Sequence, residues 1–172
     1  SGTYLTLKYD SSGTLQWADS ALNTSIPTSI ALDLNSNVYV TGADSSGNRI
    51  TTIKYNNSGI QQWNVTFQNN PTTGSARGND IAVDANGNVY VTGLSHSGTS
   101  FDYTTLKYSS LGVQQWVSYY NGTANNTDIA NAIALDAIGN IYVTGLSDGT
   151  GTGLDYATIQ YDANGAQQWV AR

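Results

Sequence analysis

The chain has 172 residues, a formal net charge of −6, and 39% hydrophobic against 10% charged residues. That is too apolar and too weakly charged for a disordered chain, and it is long enough to bury a core. The acidic balance and the lack of any basic stripe exclude nucleic acid as a partner. No stretch approaches the roughly twenty apolar residues of a membrane span, and there is no cysteine for a disulfide.

All twelve acidic residues are Asp, Met and Glu are absent, and only three lysines occur, while Thr, Tyr, Val, Ile, Asn and Gly abound. Common helix formers are therefore scarce, which predicts an all-β chain with almost no helix.

In chain order, the first element is a hairpin phrase, TLKYDSSGTLQW, ending at Trp17. It returns as TIKYNNSGIQQW, TLKYSSLGVQQW and TIQYDANGAQQW, ending at Trp63, Trp116 and Trp169, with spacings of 46, 53 and 53 residues. A second phrase alternates with it: ALDLNSNVYVTG, AVDANGNVYVTG and ALDAIGNIYVTG, beginning at Ala31, Ala82 and Ala134. A period near fifty residues marks a repeat architecture.

Each phrase reads as two short strands around a tight turn. In the second, Ile81 and Val83 alternate with Ala82, the turn spans Asp84 to Asn88, and Val89 and Val91 alternate with Tyr90 and Thr92. Asp at the start of the turn can accept backbone N–H bonds, and Gly87 supplies a positive φ without steric cost. Gly139 repeats this, whereas the first copy has Ser36 and Asn37, and tolerance of the left-handed region by Asn is expected to keep that turn. Gly13, Gly59, Gly112 and Gly165 hold one position in the Trp-ending hairpin, where a left-handed residue is expected. Two such hairpins make a four-stranded antiparallel sheet, the size of a propeller blade.

On these phrases the chain resembles the SBBP repeat family, whose unit pairs a DxxGNxYxTG hairpin with one ending in Trp. The resemblance implies a β-propeller, usually seven-bladed, in secreted or surface-exposed proteins, and it implies little about activity. The expected fold is about 3.5 four-stranded blades: an outer hairpin over 1–20, then blades over 28–66, 79–119 and 131–172. Such a chain is expected to be a partial propeller, with stacking on like segments head-to-tail, in a homo-oligomer or fibre; a closed four-bladed ring is the alternative.

Candidate sites are few. Trp17, Trp63, Trp116 and Trp169 are expected to be buried wedges between blades, since a ring at one position in every repeat suits a shared core better than a sugar platform. Lys8, Lys54 and Lys107 share a position, with Gln160 in the fourth copy; a stem packed over the next blade with the ammonium in water is expected. Asp84, Asn86 and Asn88 have the oxygen spacing that opens a calcium loop, but the glycine comes too early and Ser95 stands where a bidentate acid belongs, so a turn brace is expected. His96, the single histidine, has no Glu or Cys to work with. N-x-S/T acceptors occur at Asn23, Asn56, Asn64, Asn121 and Asn125. The reading at this point is a non-catalytic, structural or adhesive module without cofactor, extracellular or on the cell surface, with a possible glycan. A glycan- or peptide-binding propeller, whose unrepeated aromatics would be Phe101, Tyr119 and Tyr120, and a scaffold piece of a larger enzyme are the alternatives.

Overall fold

A computed structural model of the chain describes residues 4–21, 24–69 and 74–172, and these contain fourteen β-strands and no helix. β1 (Tyr4–Tyr9) and β2 (Leu15–Ala21) form a two-stranded sheet. Three four-stranded antiparallel sheets follow. They comprise β3 (Thr24–Leu32), β4 (Val38–Asp44), β5 (Ile50–Tyr55) and β6 (Gln61–Phe67); then β7 (Ala76–Val83), β8 (Val89–His96), β9 (Phe101–Tyr108) and β10 (Gln114–Tyr120); then β11 (Asp128–Leu135), β12 (Ile141–Gly149), β13 (Gly153–Tyr161) and β14 (Gln167–Ala171). Strands within each sheet pair in sequence order, as a blade's do. This is the expected half blade followed by three complete ones.

The blades begin three or four residues before the expected bounds of 28, 79 and 131, at Thr24, Ala76 and Asp128. The cause is a bulge: β3, β7 and β11 each slip register midway and then continue pairing beyond it. The bulge folds a carbonyl over the glycine of the YVTG phrase. A Cβ on Gly42, Gly93 or Gly145 would lie 2.0 Å from the oxygen of Ile26, Arg77 or Ile129 respectively, so only glycine fits there.

The core lies between sheets. Tyr4, Val38, Val40 and Ile53 pack the half blade on the first blade; Tyr39, Ile50, Val89, Val91 and Leu106 pack the first on the second; Tyr90, Tyr103, Ile141, Val143 and Ile159 pack the second on the third. Because a middle strand has a neighbouring blade on each face, β4 is buried along its whole length, whereas the outermost β6 is buried only at Phe67. Apolar residues on both faces are thus what a stacked sheet requires.

The hairpin turns follow one rule. Asp33, Asp84 and Asp136 each accept, through Oδ1, the backbone N–H groups two and four residues on, and through Oδ2 the amide of Asn37, Asn88 or Asn140 and the hydroxyl of Tyr39, Tyr90 or Tyr142. Asp10, Asn56, Ser109 and Asp162 brace the other turns through the same two backbone bonds. In the first copy it is Ser36 itself that takes the left-handed conformation, at φ 60°, and not its Asn neighbour. The carboxylate of Asp33 fixes the turn firmly enough to impose this on a serine.

The array does not close into a ring. Tyr156 and Trp169, on the outer face of the third blade, are 80% and 42% exposed, and Leu5 and Leu7 on the half blade are 61% and 41% exposed.

Candidate functional site: the seam between blades

The repeated Trp hairpin builds one clamp three times. Trp17, Trp63 and Trp116 lay their indoles on Gly59, Gly112 and Gly165 of the following blade, where an added Cβ would stand 2.6, 3.0 and 2.6 Å from the ring. These glycines have φ of 81°, 79° and 81°, so the turn presents bare backbone to the indole. Each indole Nε1–H donates at 3.1 Å to a turn carbonyl, that of Asn57, Ser110 or Ala163.

Lysine completes the clamp on the same oxygen. Lys8, Lys54 and Lys107 donate through Nζ to the carbonyls of Asn57, Ser110 and Ala163 at 3.0, 3.2 and 3.2 Å, and Lys8 also reaches Asn57 Oδ1. Lys54 and Lys107 sit over the rings of Tyr39 and Tyr90, 5.1 and 5.2 Å from their centroids. Each ammonium thus holds the adjacent blade, those of Lys8 and Lys107 while still reaching water, and a tyrosine face supports those of Lys54 and Lys107. The tryptophans are half-buried where they clamp, which corrects the expectation of buried wedges, and Trp169 is exposed because no turn lies against it.

Along the inner strands a second set of bonds crosses the seams. Thr28 Oγ1 donates to Gly78 O at 2.6 Å, and Asn79 Nδ2 donates to Ala130 O at 2.7 Å. Asp80 joins three blades, accepting Ser29 Oγ at 2.8 Å on one oxygen and Ile133 N–H at 2.9 Å on the other. Sequence reasoning missed Asp80, because its equivalents are Ser29 and Ala132 and no repeated residue signals the position.

The remaining candidates fall in separate places. The Asp84 carboxylate receives bonds from Asn86 N, Asn88 N, Asn88 Nδ2 and Tyr90 OH, so both its oxygens are engaged as a turn brace. Asn86 and Asn88 thereby serve that turn. Partial burial alone would raise Asp33 and Asp136, but the bonds from the turn and its Asn and Tyr outweigh it and hold both carboxylates below the ordinary range. His96 accepts Gly98 N–H on Nδ1 and stands edge-on to Phe101 at 5.1 Å. Tyr119 bonds Asn69 and Tyr120 packs on Tyr103 and accepts from Arg172, so Phe101, Tyr119 and Tyr120 do not converge on one platform.

Of the glycan acceptors, Asn23 lies outside the described residues. Asn56 is half-buried and uses its Oδ1 to brace a turn, whereas Asn64 is exposed on the outermost strand β6. Asn121 and Asn125 are exposed in the loop between the second and third blades, bonded to each other at 3.1 Å.

Sheets stacked face to face through a recurring clamp, each built from two consecutive hairpins, define a β-propeller repeat protein. The SBBP beta-propeller repeat matches residues 20–48, 72–102 and 115–151, more than half of the chain, and the chain belongs to that family. No curated protein matches it. Among solved structures it is similar to a protein of unknown function from Bacteroides caccae, with a TM-score of 0.59 and 14% identity. That alignment covers 99% of this chain and 57% of the other, and at this identity the likeness is one of fold.

Proposed function

We propose that the chain is a non-catalytic structural module of an extracellular or cell-surface protein, which stacks head-to-tail on like segments. One observation carries this reading: the two outward faces hold opposite halves of the clamp that joins the blades. On the third blade, Trp169 and Tyr156 are exposed, while their counterparts Trp63 and Ile50 face a neighbouring blade. Tyr4 and Tyr103, equivalent to Tyr156, donate their hydroxyls to the next blade, at Ala43 O and Ala157 O. On the half blade, the turn at Gly13 has the φ of 81° seen at Gly59 and Gly165, with open space where they meet a tryptophan. Third blade on half blade would repeat the internal seam, and a heterologous contact of this kind gives a ring or a filament.

The uncharged polar surface and the exposed Asn64, Asn121 and Asn125 support the surface assignment and a glycan at one or more of these sites. Sedimentation velocity across micromolar concentrations tests the stacking. Association that Trp169→Ala abolishes is expected; a monomer at every concentration, or association indifferent to Trp169, would contradict it.

A further inference from the structure

We infer that the free edge of β1 is an acceptor for one specific β-hairpin, a copy of the DxxGN phrase supplied from outside residues 1–172. The site is separate from the end-to-end stacking above and does not depend on it. In each complete blade the third strand pairs with a second strand reading Val/Ile-Tyr-Val-Thr-Gly in a single register. Val38, Val89 and Ile141 stand opposite Tyr55, Tyr108 and Tyr161; Tyr39, Tyr90 and Tyr142 stand opposite Lys54, Lys107 and Gln160; Thr41, Thr92 and Thr144 stand opposite Thr52, Thr105 and Thr158. β1 is the equivalent third strand, with Thr6, Leu7, Lys8 and Tyr9 at these positions, and among the described residues the strand it pairs with is β2.

Leu5, Leu7 and Tyr9 face outward where their equivalents pack on a preceding blade, so their exposure belongs to the stacking face, and it is Thr6 and Lys8 that mark the edge itself. Lys54 and Lys107 each lie over a second-strand tyrosine, whereas no ring stands under Lys8 among the described residues. Thr52, Thr105 and Thr158 share hydroxyl bonds with the second-strand threonines at 3.3, 3.2 and 3.0 Å, which Thr6 can repeat. An open cleft of about 350 Å³ runs beside β1, floored by Leu5, Leu7, Pro27, Ile30 and Val40.

The cleft's far wall specifies the other strand of the hairpin. Gly78 O and Ala130 O accept from Thr28 and Asn79 of the preceding blade, and Pro27 O holds the same position without such a donor among the described residues. The occupant therefore carries Thr or Asn two residues before the Ile of its first strand, and Val-Tyr-Val-Thr-Gly in its second with Tyr opposite Lys8. A second copy of the chain is a poor source, since β3–β4, β7–β8 and β11–β12 are each already paired within their own sheets. The backbone bonds of strand addition supply affinity and the alternate side chains supply register.

The test is a peptide with the sequence of residues 79–93, NDIAVDANGNVYVTG, titrated into the chain and followed by amide exchange and calorimetry. Saturable one-to-one binding that protects the amides of Tyr4–Tyr9 is expected, weakened about threefold to fivefold by Lys8→Met or by Ser in place of the peptide's tyrosine. A fusion placing the same hairpin ahead of β1 through a flexible linker gives a second readout that does not rely on a free peptide folding, and its melting temperature is expected to rise. Equal binding of a peptide with VYVTG scrambled, or β1 amides protected by self-association without peptide, would overturn the inference. So would absence of binding together with an unchanged melting temperature of the fusion.

Discussion

The seam between the first and second blades and the outward face of the third blade carry the same residues in different circumstances. Trp63 clamps Gly112 and the carbonyl of Ser110, and Lys54 adds its charge to that oxygen. Trp169 sits on the same strand position with no turn to hold, and Gln160, in place of lysine, reaches only as far as Tyr142 OH. The contrast shows that the repeated tryptophans and lysines are not there to stabilise their own sheet. They act across the gap to the next one, so each blade contributes one half of two seams, and substitutions at equivalent positions need not cost alike.

The largest expected effect separates the tryptophans. Trp116→Ala should destabilise by about 3 kcal/mol, removing a packed ring and its bond to Ala163, whereas Trp169→Ala in dilute monomer should cost less than about 1 kcal/mol. Chemical denaturation of the two variants checks this, and equal losses would break the comparison. The glycines sharpen it further. Gly13→Ala and Gly165→Ala share a φ of 81° and hence a strain of about 1–2 kcal/mol, but a Cβ at Gly165 would stand 2.6 Å from Trp116 while that at Gly13 meets nothing. Gly165→Ala should therefore lose about 1–3 kcal/mol more, and the difference reads the clamp with backbone strain cancelled.

Turns give smaller effects. Asp33 and Asp136 bind protons less readily when folded, because their hydrogen bonds favour the carboxylate. Their contribution is therefore fully present above the unfolded carboxyl pKa of about 4 and is lost as pH falls through the depressed folded values. Melting temperature should fall below about pH 4, less steeply in Asp33→Asn than in the parent, and parallel curves would contradict the bracing role. Smallest of all, Ser36→Gly should stabilise by about 0.5–1 kcal/mol, since glycine takes the left-handed conformation without the side chain's cost.

Much of this was legible in the sequence because it is repeated. The Gly13, Gly59, Gly112 and Gly165 column and the alternating phrases are physical signatures of turns and strands, and blade order followed from them. What was hidden depends on contacts between repeats. Nothing in the YVTG phrase tells why it ends in glycine, whereas a bulge carbonyl 2.0 Å from the missing Cβ decides it. Asp80 occupies a column with serine and alanine, so only the fold reveals it joining Ser29 to Ile133. Likewise a lysine column can be read as stem packing or as charge, and the distance to the next blade's carbonyl chooses between them.

The claim that the clamp is the unit of this fold, occupied at three seams and half-empty at the end, can be read from the four indole N–H groups. Hydrogen exchange of the assigned Trp17, Trp63, Trp116 and Trp169 side chains, at concentrations where the chain is monomeric, is the direct measurement. Three slow indoles and a fast one at Trp169 are expected. Four equally protected indoles would mean a closed ring, and four equally fast ones would mean that no clamp holds the blades; either result contradicts the account.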